Sequence, residues 1–323
     1  MRAIVVKEIG DFVITEVPMP TLSEGEALIK VSITGLCRTD LKIITHGHRD
    51  LILPRIPGEE VVGVVVDIKG SATSLIGKRV YIYPGTSCHQ CDICRIGAEN
   101  LCRGMQIMGF HRDGGFATYV KSPIESLIVI PEDLTDEEAL FVEPLSCCLN
   151  ATELALLKEG ESVGIWGAGP AGNLLYRVAL SIGAKAEVIE PDPSRRTFVG
   201  GREKPPCNMV YDVAFVAVGN EQAYKEALQC LRQRGRMVVF SGLHADRAIQ
   251  PIDLNRLHYY EQTMIGAYGC SIRHSNAALE LIRKGDIKVK DLISHRMPLW
   301  DLRNALQMVA NRTCMKIHLY PDR

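Results

Sequence analysis

Over the first 150 residues, apolar positions alternate with polar ones in short stretches. EALIKVSITGLC (26–37) and VVGVVVDIKG (61–70) have the two-residue period and the Val/Ile content of β-strands. Pro54, Pro57, Gly58, Gly70 and Gly85 punctuate them, which predicts a β-rich lobe, a partly closed barrel. TDEEALFVEPLSCCLNATELALL (135–157) then reads as helical, with Thr135 as its N-cap and acidic residues in its first turn. From Glu161 the pattern changes. SVGIWGAGPAG is a continuous apolar run that enters a glycine turn, and NLLYRVALSIGA follows it as a helix. AEVIE, YDVAFVAVG with EQAYKEALQCLRQRG, RMVVFSG and TMIGAYG continue the alternation of buried strands and helices. That order predicts βαβ units and a parallel sheet, with TMIGAYG at its edge. SNAALELIRKGDI and LWDLRNALQMVANR are helical, and KIHLYP closes the chain as a strand that returns to the first lobe. No internal repeat or low-complexity segment is present.

Composition narrows the class without naming it. The 323 residues suffice for roughly two domains, and 46% hydrophobic content reads as globular. A net charge of −1 gives no reason to expect nucleic acid or an anionic membrane as a partner. MRAIVVKEIGDFVITEV is interrupted by charges and lacks the apolar core of a signal peptide, and no apolar run approaches the roughly 20 residues that cross a bilayer. The expected location is therefore the cytoplasm. There the eleven cysteines are expected to be thiols or ligands rather than disulfides. Cys147, Cys148, Cys207, Cys230, Cys270 and Cys314 lie in apolar or mixed surroundings and read as small buried hydrophobes.

The remaining cysteines carry more chemistry. Cys88, Cys91, Cys94 and Cys102 have the spacing C-x2-C-x2-C-x7-C. Four thiolates in one tight run suit a tetrahedral Zn²⁺ and leave no open coordination position, so this metal is expected to be structural. A disulfide or redox cluster is the competing reading, and a large chain with no secretory signal disfavours it.

Gly167-Ala168-Gly169-Pro170-Ala171-Gly172 is G-x-G-x-x-G, placed between a predicted strand and a predicted helix. Gly167 permits the turn, Gly169 lets the backbone approach a pyrophosphate, and Gly172 lets the helix pack on the sheet. The helix starts at Pro170, and the free N–H groups that follow it face the phosphates. Glu190 ends the next strand, where a carboxylate accepts from ribose hydroxyls and repels a 2′-phosphate; NAD is thus expected over NADP. Arg195 and Arg196 are close enough in sequence to reach a phosphate. Arg38 is a further candidate for the pyrophosphate.

Gly35-Leu36-Cys37-Arg38-Thr39-Asp40, PGEEVVGVV, the four-cysteine run, HRDGGFATYV, VEPLS, GAGPAG and the KIHLYP ending together resemble the zinc-containing, medium-chain alcohol dehydrogenase family over the whole chain. VEPLS is similar to its sorbitol and threonine dehydrogenase branch. The resemblance implies a β-rich GroES-like catalytic domain followed by a Rossmann domain with a doubly wound parallel sheet. The expected boundaries are 1–150 for the catalytic domain, with the zinc lobe at about 84–104; 151–270 for the nucleotide domain; and 271–323 for a tail that returns to the catalytic domain. It also implies that Cys37 and Glu143 bind a catalytic metal with Glu60 beside them, that the Thr39 hydroxyl passes on the alcohol proton, and that Asp40 supports the shell. A homodimer or homotetramer is expected, built through the nucleotide domains.

Two departures stand out. Where the family has Gly-His-Glu, this chain has Gly58-Glu59-Glu60, so a carboxylate replaces the ligating imidazole. The candidate shell becomes Cys37, Glu59, Glu60 and Glu143, more negative than the family's. Such a shell weakens the ion as a Lewis acid and tilts the preference from Zn²⁺ toward harder ions such as Mn²⁺ or Mg²⁺. Two close carboxylates at Glu59 and Asp40 cannot cheaply both ionise, so one of the two pKa values is expected to rise. Protonation of Glu59, a cation from Arg38, Lys42 or Arg49, or a nitrogen from His46 or His48 relieves the pair. The second departure is a deletion: after AEVIEPDPSRR only TFVGGREKPPCNM precedes YDVAFVAVG, which shortens the Rossmann domain and leaves its third strand missing or vestigial.

The activity these features imply is hydride transfer between a secondary alcohol or polyol and NAD, with metal-assisted alkoxide formation. The alternatives are a reductase with no catalytic metal and a non-catalytic NAD(H)-binding protein.

Overall fold

The computed structural model describes residues 1–206 and 209–322; Cys207, read above as a buried hydrophobe, lies outside them. The chain folds as two units, Met1–Glu143 with Ser271–Arg323, and Pro144–Cys270.

In the first unit a seven-stranded sheet runs in the order Ile293–Pro298, Lys316–Tyr320, Glu26–Leu36, Val61–Lys69, Arg79–Ile82 and Leu127–Val129, with Tyr119–Pro123 also paired to Glu26–Leu36. The alternation in EALIKV sets the buried face: Ala27, Ile29 and Val31 pack with Val61, Val65, Val80, Ile82, Met108 and Val120. A second core joins Ala3, Ile4 and Val6 of the first strand to Ile43 and Ile44, and to Leu302, Ala305, Leu306, Ile317 and Leu319 of the tail. The tail is thus part of this unit. Lys316–Tyr320 lies antiparallel to Glu26–Leu36, pairing Ile317 with Leu36, His318 with Gly35 and Leu319 with Thr34.

In the second unit five parallel strands follow the order Lys185–Ile189, Ser162–Trp166, Tyr211–Val216, Leu231–Val239 and Thr263–Gly266. Thr263–Gly266, from TMIGAYG, is one edge. Lys185–Ile189 is the other, and a single bridge from Ile189 to Arg202 stands where a third strand is expected. The helices Pro170–Ser181 and Glu221–Cys230 pack on this sheet, the second over a core of Trp166, Ala214, Val216, Ala227 and Met237.

Two helices differ from the sequence reading. The run from Thr135 is broken into Asp136–Ala139 and Val142–Leu154. Pro144 has no N–H to return to the Leu140 carbonyl, so one continuous helix cannot form across it. Thr135 does cap the first piece in a box with Glu138. The helix from Glu221 ends at Cys230 instead of continuing through LRQRG. Leu231 is fully buried in strand conformation opposite Tyr211, Arg234 turns with φ 59°, and the register resumes at Arg236 opposite Val213. Core burial of Leu231 outweighs the helical propensity of its neighbours. Among the described residues no helix is long and apolar enough to cross a membrane.

Candidate active site and zinc lobe

The four-cysteine segment gathers its sulfurs. The Sγ atoms of Cys88, Cys91, Cys94 and Cys102 all lie within 4.8 Å of one another. Separations of 3.5 Å (Cys91–Cys94), 3.9 Å (Cys91–Cys102) and 3.5 Å (Cys88–Cys102) match the edge of about 3.8 Å that a tetrahedron with metal–sulfur bonds of about 2.3 Å requires. Backbone N–H groups of Cys88 and Gly104 donate to Cys102 Sγ at 3.3 Å each. Amides of Cys94 and Arg103 draw the Cys91 thiol down to about 6, whereas burial pushes Cys94 up to about 12. The donor set and its spacing fit zinc, and no open position remains for chemistry.

The second cluster is assembled from distant parts of the first unit. Cys37 caps the helix Arg38–His46: its Sγ accepts from the Asp40 N–H at 3.3 Å, and its own N–H donates to Asp40 Oδ2 at 2.9 Å. This fixes Cys37 at the helix mouth with Thr39 on the first turn. The turn at Pro57-Gly58 is strapped by Gly115 and Phe116, whose N–H groups donate to Gly58 and Pro57 carbonyls at 2.9 Å each. Glu59 emerges from it with Oε1 3.4 Å from Cys37 Sγ. Glu60 is 1% exposed and forms a buried ion pair with Lys316 from the closing strand. Gly35 makes that possible, since a Cβ there would stand 1.8 Å from Glu60 Oε2. Glu143 sits in the first turn of Val142–Leu154.

Charge governs this cluster. Burial raises the Cys37 thiol well above its usual range, and Asp40, Glu59 and Glu60 add to the rise. Burial lifts Asp40 to about 6 against the hydrogen bonds from Cys37. Burial, then the charges of Glu143, Asp40 and Glu60, push Glu59 far up. Burial opposes the charge on Lys316, yet Glu60, Cys37 and Glu143 together hold its pKa above the ordinary lysine value. Five acidic groups, Cys37, Asp40, Glu59, Glu60 and Glu143, thus crowd one ammonium, and a divalent cation among them would favour their ionised forms.

Of the predicted ligands, the structure brings Cys37 and Glu59 together and leaves Glu60 with Lys316. Among the described residues, the four-cysteine lobe is the one place where three or more ligand atoms converge. Lys316 is the cation that sequence reasoning missed, sought instead at Arg38, Lys42 and Arg49. Its signal was a lysine between apolar residues in a closing strand. His46 contacts Thr45, while His48 stacks edge-on against Phe110 at 5.1 Å and accepts from the Asp50 N–H, so neither joins Cys37. Arg38 is exposed at the helix start.

In the second unit the glycine turn has the required closeness. A Cβ on Gly172 would lie 1.8 Å from the Gly167 carbonyl oxygen, so only glycine fits there. Gly169 precedes Pro170 at the helix start, and above it the nearest atom to a Cβ would be Arg195 Nη1 at 3.6 Å, which leaves room for a phosphate under a guanidinium. Glu190 is 8% exposed and accepts from the Ala168 N–H at 2.8 Å and the Asp192 N–H at 3.0 Å. It thus braces the turn and keeps lone pairs for a ribose. Arg196 does not reach toward a phosphate; it donates to the Glu190 and Pro191 carbonyls. Buried Asn173, not foreseen, ties the helix to the turn through the Ala168 carbonyl at 2.8 Å.

Comparison with known proteins finds relatives along the whole chain. Residues 23–132 match the alcohol dehydrogenase GroES-like domain, and residues 202–284 match the zinc-binding dehydrogenase domain. A sorbitol dehydrogenase of Bacillus subtilis is 27% identical over 100% of this chain and 98% of its own. A 2-dehydro-3-deoxy-L-galactonate 5-dehydrogenase of Pseudoalteromonas atlantica is 31% identical over 87% of both chains. A zinc-binding dehydrogenase structure from Sinorhizobium meliloti, bound to NADP, superposes with a TM-score of 0.90 at 27% identity over 99% of each chain. The chain belongs to the zinc-binding medium-chain alcohol dehydrogenases, in the sorbitol and threonine dehydrogenase-like branch, and is a nicotinamide-dependent oxidoreductase of that family.

Proposed function

We propose that this chain oxidises a secondary alcohol of a polyol or sugar acid with NAD. The observation that carries the reading is the half-buried Cys37–Glu59 contact, 3.4 Å long, with Thr39 on the adjoining turn. The alcohol gives up a proton and a hydride, leaving a ketone, NADH and a free proton. Cys37, Glu59 and Glu143 would hold a divalent ion, which would supply Lewis-acid polarisation of the alcohol oxygen, and Lys316 pairs with Glu60 beside them. The Thr39 hydroxyl relays the alcohol proton, accepting it while releasing its own toward solvent. The turn from Gly167 to Gly172 and Arg195 bind the pyrophosphate, and Glu190 favours NAD by repelling a 2′-phosphate. The names of the relatives support polyols and sugar acids as the substrate class. A homodimer or homotetramer in the cytoplasm completes the reading.

A metal-free reductase is the second reading, and it is Lys316 that favours it, because Glu60 already has a cation. Elemental analysis of protein purified without added metal separates the two. With the Cys88→Ser/Cys91→Ser variant as reference, one metal ion surviving in that variant supports the first reading; none surviving supports the second. A polyol panel with NAD, followed by NADH absorbance, tests turnover. Glu59→His is expected to raise zinc retention and alcohol turnover by about tenfold or more, as ligand changes at such sites do; no change in either removes Glu59 from the shell.

A further inference from the structure

The turn that presents Glu59 is built against a second loop. Both ends of the segment 109–114 rest on Gly58, the residue before Glu59. A Cβ on Gly109 would stand 3.2 Å from the Gly58 amide nitrogen, and one on Gly114 would stand 2.3 Å from the Gly58 carbonyl oxygen. Phe110 and His111 lie between those two contacts. The chain that leads from the helix Arg38–His46 to Pro57 is tied to the same loop: the Ile52 N–H donates to the Phe110 carbonyl at 3.1 Å, and Arg55 pairs with Asp113 at 2.9 Å. His48, in that stretch, meets Phe110 edge-on at 5.1 Å. Two half-buried histidines, His48 and His111, thus sit on the loops that hold Glu59 beside Cys37.

Both rings are locked in the same tautomer. The Asp50 N–H donates to His48 Nδ1 at 3.2 Å. The Ile107 N–H donates to His111 Nδ1 at 3.1 Å, and the His111 N–H returns to the Ile107 carbonyl at 2.9 Å. A ring nitrogen that accepts carries no proton, so each ring keeps its N–H at Nε2. Among the described residues neither Nε2 has a hydrogen-bond partner. The charges around the pair lean positive. Arg49 is set against Asp50 at 3.4 Å and Arg55 against Asp113, whereas Lys42 is exposed and, among the described residues, has no acid within ion-pair distance. Burial lowers the pKa of His48, and Lys42, Arg49 and His111 lie near enough to lower it further against Asp50. Two fixed N–H donors with an ammonium nearby suit an acceptor that carries negative charge, and neutral rings avoid the cost of a buried cation while the site is empty.

We propose that His48 and His111 bind the carboxylate of a polyhydroxy acid, at the end of the substrate away from the reacting carbon, and that such an acid, not a neutral polyol, is the substrate. This rests on the dehydrogenase reading above, which leaves the two classes together. The carboxylate is held and takes no part in the hydride transfer.

The test compares hexonates with the hexitols of matching configuration as substrates of the full-length chain with NAD: D-gluconate, D-mannonate, D-galactonate and L-idonate against sorbitol, mannitol, galactitol and L-iditol. NADH absorbance gives kcat/KM for each. A hydrogen bond to a charged group is worth about tenfold or more in binding, so at least one hexonate is expected to exceed its hexitol by about that factor. His48→Phe and His111→Phe are each expected to shrink the ratio by about tenfold, chiefly through a higher KM for the acid. His111→Gln, which keeps an N–H donor, is expected to hold most of it, and a melting curve of each variant reports its folding. Hexitols turned over as well as hexonates, or better, overturn the proposal and leave the dehydrogenase reading standing; so does a ratio that either folded Phe variant leaves unmoved. No turnover of either series removes both.

Discussion

The two clusters of metal-type ligands differ in what holds them together. The zinc lobe draws its four sulfurs from 15 consecutive residues, and backbone amides support them. The Cys37 cluster draws acidic groups from five positions, 37, 40, 59, 60 and 143, and its one cation from position 316. The first is a local device whose geometry follows from chain spacing. The second exists only when two sheet strands, a helix mouth and the closing strand have come together. Removing one member should therefore have different consequences: loss of metal and local order in the lobe, and an unbalanced buried charge in the other.

The largest expected effect is in the lobe. Cys91→Ser opens a closed four-thiolate shell, and sites of this kind owe roughly 10–16 kcal/mol of apparent binding free energy to the intact set. Elemental analysis should show the loss of this metal, and limited proteolysis should cut first within 84–104. Full metal retention by the variant contradicts a four-sulfur site. The next effect is smaller and global. Lys316→Met leaves Glu60 buried without its partner, at a cost of about 3–5 kcal/mol to folding, measured by urea denaturation. Adding Glu60→Gln removes the stranded charge and should recover most of that loss. A Lys316→Met chain as stable as the parent shows that the pair contributes nothing to folding, and the charge argument for the cluster fails with it.

The same contrast explains what the sequence disclosed. The lobe and the glycine turn are contiguous motifs whose residue types each follow from one local demand, so spacing alone reveals them. The parallel sheet was also legible, because strand–helix alternation is a linear feature. Lys316 was not legible, since its partner lies 256 positions away and nothing in KIHLYP fixes which face of the strand is buried. Nor was the orientation of Glu60, which depends on the empty space over Gly35. The end of the helix at Cys230 was hidden for a related reason: Leu231 belongs to the core of a strand that its own neighbours do not announce.

The closing strand allows the contrast to be refined within a single element. Lys316, His318 and Tyr320 share one of its faces. At one end Lys316 is 4% exposed and paired with Glu60. At the other, the Tyr320 hydroxyl donates to Glu137, which also receives two guanidinium bonds of 2.7 Å each from Arg296; these two charged side chains are 30% and 45% exposed. Between them His318 is fully buried with neither ring nitrogen partnered, and burial pushes it down to about 3, so it is neutral across the physiological range. The Arg296 bonds, working against partial burial, bring Glu137 down to about 2. A carboxylate with a depressed folded-state pKa stabilises the fold above its unfolded value and loses that contribution as pH falls from about 4.5 toward 2. Solvent screening limits the contribution to about 1 kcal/mol at neutral pH. Glu137→Gln is therefore expected to lower stability by about that amount at pH 7 and by progressively less below pH 4.5, with the two denaturation curves converging in acid. A constant gap across that range assigns the effect of Glu137 to packing rather than charge, and the strand then carries one functional ion pair, at Lys316, instead of two of unequal strength.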